Sequence, residues 1–206
     1  MQNKINIAVL VSGGGTNLQA LIDAQKSGII KSGEIKLVIS SNSIAYALKR
    51  AEENAIATAV VTKKEYGSMA AAEEKIISIL EENQIDLIVL AGFMCILSEN
   101  FTRRFVRRII NVHPSLIPSF CGEGFYGLKV HEAALQKGVK VTGATVHFVN
   151  EIPDGGEIIM QKAVNVLDGD TPKSLQARVM KQAEWIILPQ AVEKVSKEMI
   201  ERKNAK

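Results

Sequence analysis

The sequence predicts an α/β fold: a Rossmann-like, mostly parallel sheet with helices on both faces and an antiparallel strand pair towards the C-terminus. Three observations predict it. From Ile5 to His113, short apolar runs alternate with stretches of helical period, the pattern of repeated strand–helix units with right-handed crossovers. The first unit turns through three consecutive glycines. After Gly138, two strand-like runs follow one another with no helix between them, so they are expected to pair antiparallel.

In order, Ile5 to Val11 is a nearly continuous apolar run, as expected of a parallel strand covered on both faces. Ser12 to Asn17 forms the glycine-rich turn, and Leu18, Leu21 and Ile22 follow at helical spacing. Ile35 to Ser40 reads as the second strand, Ala45 to Asn54 as a helix and Ala57 to Val61 as a short third strand. Met69 to Glu82 has helical period with Ile76, Ile77 and Leu80 inward. Asp86 to Gly92 is the fourth strand, and Ser98 can cap a short helix that includes Phe101 and Phe105. Ile109 to His113 is the fifth strand. Cys121 to Lys129 reads as a mobile loop rich in glycine and aromatics, and Val130 to Lys137 as a helix. Val139 to Phe148 and Ile158 to Val166 are the closing strands. Thr171 and Pro172 start a last helix running towards Lys194 or beyond, bent at Pro189, with a frayed tail from Glu201 to Lys206.

The chain has 206 residues, enough to bury a sizeable core, and no repeat or linker interrupts it, so 1–206 reads as one domain. A net charge of +3 is too small to imply nucleic acid. Met1 to Lys4 lacks a signal-peptide pattern, and no apolar run is long enough to span a membrane. Cys95 and Cys121 have no metal spacing and suggest no disulfide framework, which points to a reducing cytoplasm. Three scattered histidines and two cysteines do not make a metal site, so none is expected.

Two stretches invite chemistry. Glycines between a strand and a helix bring backbone N–H groups close to a ligand, and the helix N-terminus suits a phosphate. The loop Gly13, Gly14, Gly15, Thr16, Asn17 matches neither the nucleoside triphosphate nor the dinucleotide pattern, so a phosphomonoester fits better. Ser12, Thr16 and Asn17 add side-chain donors. The second stretch is Asn111-Val112-His113-Pro114. Residues two apart on a strand share a face, so an amide and an imidazole project together from the strand's carboxyl end, where ligands of open α/β sheets bind. Both can stabilise a developing oxyanion. A carboxylate such as Asp154 could orient His113, raise its pKa and relay protons, or be only a turn residue before Gly155. His147 alternates with apolar residues and reads as a hydrogen-bonded structural histidine. His131 opens a helix and reads as a surface residue. Phe93 to Leu97 could wall a pocket for a flat ring or belong to the core.

Taken together, Asn-x-His-Pro-Ser-Leu-x-Pro at 111–118, Asp-Gly-Gly at 154–156, Ser-Gly-x-Gly-Thr-Asn at 12–17 and Ala-Gly-Phe-Met at 91–94 resemble the motifs of the folate-dependent formyltransferases, in the family's order and over nearly the whole length. The resemblance implies formyl transfer from 10-formyltetrahydrofolate to the amine of glycinamide ribonucleotide in purine biosynthesis, without a metal. It implies a phosphoribosyl-binding part at about 1–105 and a catalytic, folate-binding part at about 106–206. Asn111 and His113 would polarise the formyl oxygen, and Asp154 would assist proton transfer. Gly13, Gly14, Gly15, Thr16 and Asn17 would hold the phosphate, and Glu184 the ribose. Phe93, Met94, Cys95, Ile96, Leu97 and Asn111 would border the folate. Both substrates are small molecules, and the enzyme is expected as a monomer or homodimer.

The chain also departs from the family pattern. Cys95 replaces the usual arginine, the loop at 119–129 is longer, and Lys63 or Lys64 would have to serve for an arginine expected after the third strand. Glu184 lies one residue further from Val179 than usual. A formyltetrahydrofolate hydrolase would add an N-terminal regulatory domain, and a methionyl-tRNA formyltransferase a C-terminal one. The sequence shows neither; a formyltetrahydrofolate hydrolase, a formyltransferase for another amine and a non-catalytic phosphate-ligand binding module are the alternatives.

Overall fold

The computed structural model describes residues 4–205; Met1 to Asn3, part of the stretch read for a signal peptide, and Lys206 of the charged tail lie outside the described residues. Seven strands form one sheet in the order β3-β2-β1-β4-β5-β6-β7. They are β1 Ile5–Val11, β2 Gly33–Ser40, β3 Ala57–Val60, β4 Leu87–Leu90, β5 Ile109–His113, β6 Val141–Phe148 and β7 Ile158–Asn165. Strands β1 to β5 are parallel, and β5–β6 and β6–β7 are antiparallel, as the missing helix predicted.

The helices are α1 Thr16–Lys26, α2 Tyr46–Glu53, α3 Lys63–Tyr66, α4 Met69–Glu82, α5 Glu99–Arg104, α6 Leu128–Lys137, α7 Pro172–Val179 and α8 Trp185–Asn204. Ser98 caps α5 through the Phe101 N–H, and Thr171 caps α7 with Pro172 in its first turn, both as predicted. The last helix differs from expectation. Its irregularity is a π-helical turn at Met180–Glu184, where the Trp185 N–H reaches the Met180 carbonyl. Pro189 sits inside α8, and the tail is helical to Asn204, where Lys203 pairs with Asp86 at 2.7 Å.

Strand alternation divides the core. Ile5, Ile7, Val9 and Val11 of β1 face a cluster with Leu18, Leu21, Leu175 and Leu188; Ala8 and Leu10 face another with Ile76, Leu80, Phe101 and Phe105. On β5, Ile110 and Val112 join the first cluster and Ile109 the second. Beyond Ile109 that second face turns polar, with Asn111 and His113. Thr145 and His147 lie opposite them on β6. Sheet order reverses at β1 and β4, so the loops after these strands diverge and open a crevice at their carboxyl ends.

Candidate active site

The antiparallel register sets His147 beside Asn111 and Thr145 beside His113. Asn111 Nδ2 lies 3.3 Å from His147 Nε2. The turn between β6 and β7 brings in the third segment. Gly156 sits so close to β6 that a Cβ there would stand 1.7 Å from the Phe148 carbonyl oxygen, so only glycine permits the approach. Asp154, in a left-handed conformation at φ 55°, then places its carboxylate between two imidazoles. Oδ2 is 3.3 Å from His113 Nδ1, and Oδ1 is 3.4 Å from His147 Nε2. The Gly122 N–H donates to Oδ2 at 2.9 Å, tying the 119–127 loop to the carboxylate. Asp154 is therefore both the turn residue and the partner of His113.

His113 is held at both ring nitrogens. Nε2 donates to the Phe120 carbonyl at 2.8 Å, which leaves Nδ1 as the nitrogen that faces Asp154. Behind it, Thr145 Oγ1 donates to the Ser115 carbonyl at 2.7 Å and accepts from the Ile117 N–H, bracing the chain that leaves β5. In the other ring, His147 Nδ1 donates to the Phe148 carbonyl at 2.8 Å, and Nε2 lies between Asn111 Nδ2 and Asp154 Oδ1, accepting from the amide when bare and donating to the carboxylate when it carries a proton.

The expected rise in the His113 pKa is overturned. Burial pushes the imidazole below its ordinary value, and the attraction of Asp154 only partly offsets it. For Asp154, burial works to raise the pKa, but the His147 hydrogen bond, the His113 charge and the Gly122 N–H outweigh it, and the group ends below the usual carboxylate range. His131 is no surface residue either. It is wholly buried on α6, and neither ring nitrogen has a partner. Burial, with a contribution from His113, pushes it down to about 4.

The glycine loop lies at the carboxyl end of β1. Gly15, at φ 70°, precedes the first turn of α1, and a Cβ there would meet Ala47 Cβ at 2.6 Å. Gly13 and Gly14 have nothing within 4 Å of a built Cβ, so packing does not require glycine at either position. The side-chain donors expected here are partly engaged. Ser12 Oγ pairs with Ser41 Oγ at 2.6 Å and accepts the Met94 N–H at 2.9 Å, which links the loops after β1 and β4. Asn17 Nδ2 donates to Glu184 Oε2 at 2.7 Å, while Asn17 Oδ1 is buried without a partner. Glu184 thus reaches the loop despite its longer spacing, because the π turn absorbs the extra residue. Burial raises its pKa, and the Asn17 bond opposes this.

Of the apolar segment after β4, Met94 and Ile96 are exposed, Leu97 is buried in the core, and Phe93 packs against that core. Cys95 is half-buried and free. Lys63 and Lys64 stand exposed on α3; the basic side chain in contact with the glycine loop is Arg50, whose Nε donates to the Gly14 carbonyl at 2.9 Å.

Sequence reasoning missed two residues here. His147 joins the site only through the β5–β6 register, and Arg50 looks like any helix-surface cation until α2 is docked. Counting back by twos along an antiparallel partner strand would have flagged His147.

The chain belongs to the formyl transferase family, whose model matches residues 5–192. Within that family it is similar to the phosphoribosylglycinamide formyltransferase of Haemophilus influenzae, 43% identical over 89% of this chain and 83% of that protein. It is also similar to the trifunctional purine biosynthetic protein adenosine-3 of Gallus gallus, 45% identical over 94% of this chain, which spans 19% of that protein's length. Among solved structures, glycinamide ribonucleotide transformylase 1 from Symbiobacterium toebii superposes with a TM-score of 0.88 at 39% identity, covering 95% of this chain and 89% of that one. Among the described residues, no helix is long and apolar enough to cross a membrane.

Proposed function

We propose that this chain transfers a formyl group from 10-formyltetrahydrofolate to the primary amine of glycinamide ribonucleotide, as a cytoplasmic enzyme of purine nucleotide assembly. One observation carries the reading. At the end of β5, an amide and an imidazole meet a carboxylate from a distant turn, with His113 Nδ1 3.3 Å from Asp154 Oδ2. This arrangement occurs in a chain 43% identical to a protein named for the reaction.

Amine attack on a formyl carbon needs a donor for the oxygen and a place for a proton. Asn111 Nδ2 supplies the donor. His113 and Asp154 together hold one proton site, left open at neutral pH because both pKa values lie below their ordinary ones. As the new C–N bond forms, the amine's proton passes to this pair, directly or through water. The resulting imidazolium faces the oxyanion with Asn111. Collapse breaks the bond to the folate nitrogen, and the pair returns the proton there.

Residues of about 1–105 bind the ribonucleotide. The N–H groups of Gly13, Gly14 and Gly15 and the first turn of α1 at Thr16 and Asn17 take the phosphate. Glu184 accepts a ribose hydroxyl beside Asn17. Phe93, Met94, Cys95 and Ile96, over a floor made by Leu97, border the pterin near Asn111.

The test is a spectroscopic assay of purified protein with 10-formyltetrahydrofolate. Tetrahydrofolate release that requires glycinamide ribonucleotide is the expected result. Release without any amine would replace the transferase by a hydrolase, and no release would remove the reading.

A further inference from the structure

The carbonyl side of the glycine loop is fully engaged by α2 and the residues before it. Asn42 Nδ2 donates to the Ser12 carbonyl at 3.4 Å, the Ala47 N–H to the Gly13 carbonyl at 3.1 Å, and Arg50 Nε to the Gly14 carbonyl at 2.9 Å. These peptides are trans, and in a trans peptide the C=O and the next N–H point in opposite directions. Three carbonyls drawn towards α2 therefore turn the N–H groups of Gly13, Gly14 and Gly15 to the other side. Among the described residues, none of those three N–H groups donates a hydrogen bond within the chain. They run on into the unpaired N–H groups that open α1. Successive N–H groups converging in this way form a concavity for an anion.

Among the three ties, Arg50 is itself held at two further points. Nη1 donates to Gln19 Oε1 at 3.0 Å, and the guanidinium lies 5.0 Å from the centroid of the Tyr46 ring. Its bond to Gly14 is charge-assisted, unlike the other two.

We propose that Arg50 is the positioning residue of the phosphate site. Assisted by Asn42 and the Ala47 N–H, it holds the glycine loop in its anion-binding form from behind and supplies the local positive charge. It acts through the Gly14–Gly15 peptide and does not touch the ligand, which is a phosphomonoester dianion. The inference rests on the phosphate reading given above, and the test separates the two.

Affinities for glycinamide ribonucleotide and for its dephosphorylated riboside are measured by calorimetry on the full chain, alongside kcat and KM. The wild type is expected to prefer the phosphorylated ligand by roughly 100-fold or more, and Arg50→Met to shrink that preference by about 10-fold, the scale of a hydrogen bond to a charged group. The riboside affinity is expected to hold, and KM to rise far more than kcat falls. Asn42→Ala removes a neutral tie and is expected to shrink the preference by roughly 2- to 5-fold; it carries the test if Arg50→Met does not fold. A preference unchanged in these variants would overturn the role of Arg50 while leaving the phosphate reading in place. A wild type with no preference for the phosphate would overturn the phosphate reading itself.

Discussion

The glycine loop and the β5 edge sit at the same end of one sheet and are built on opposite plans. The loop offers backbone. Its Ser12 and Asn17 side chains are engaged elsewhere, its carbonyls are held from behind by α2, and its N–H groups face outward. The β5 edge offers side chains: Asn111, His113, His147 and Asp154 from three segments, each oriented by a backbone group or by another member. A backbone site tolerates changes of side-chain chemistry and fails when a Cβ intrudes. A side-chain site fails when a single atom changes. On the function proposed here, ligand binding and proton chemistry are thereby carried by separable parts.

The largest effect that would sharpen this contrast is at Asp154. Asp154→Asn keeps the shape and removes the charge between the imidazoles; turnover is expected to fall by about 10²- to 10⁴-fold, the range for a group active in proton transfer, with ribonucleotide affinity unchanged in calorimetry. Loss of affinity in step with turnover would break the separation. Next come the glycines. Gly15→Ala places a methyl group 2.6 Å from Ala47 Cβ at a positive φ, and is expected to cost about 1–3 kcal/mol of folding stability in urea denaturation. Gly14→Ala has open space and is expected to leave stability within about 1 kcal/mol while weakening ribonucleotide binding. Equal stability losses in both would mean that the loop's glycines serve packing alone.

The remaining predictions concern pH. His131 is held buried and neutral, with a folded pKa of about 4 against 6.5 unfolded. The unfolded state binds the proton first, so this contribution is complete above pH 6.5 and declines as pH falls towards 4; by pH 5 the loss amounts to roughly 2 kcal/mol. His131→Leu should flatten the dependence of the urea midpoint between pH 7 and pH 5, and an unchanged slope would contradict the assignment. For the reaction, His113 must be neutral to accept a proton. Turnover should therefore fall on the acid side with a midpoint below 6.5, a limb that belongs to the His113–Asp154 pair jointly. In Asp154→Asn the residual limb should move to lower pH, because the attraction that opposes burial is gone.

The sheet, its parallel and antiparallel parts, the caps at Ser98 and Thr171, and the two candidate stretches at the carboxyl ends of β1 and β5 were legible in the sequence, since each rests on local period or local chemistry. What was not legible depends on contacts distant in sequence. Asp154 looks like a turn residue until Gly156 seats the turn against Phe148. His147 looks structural until β5 and β6 are registered. The burial of His131 follows from docking α6, and at His113 the ring's own burial outweighs Asp154, reversing the expected shift. The extra residue before Glu184 made that position doubtful, and a π turn restores its reach to Asn17.

On the proposed function, His113 performs chemistry and leaves binding to the glycine loop. The most direct measurement is kcat for His113→Ala together with its ribonucleotide affinity. Turnover is expected to fall by roughly 10²-fold or more, with affinity within about threefold of the wild type. Undiminished turnover would contradict it.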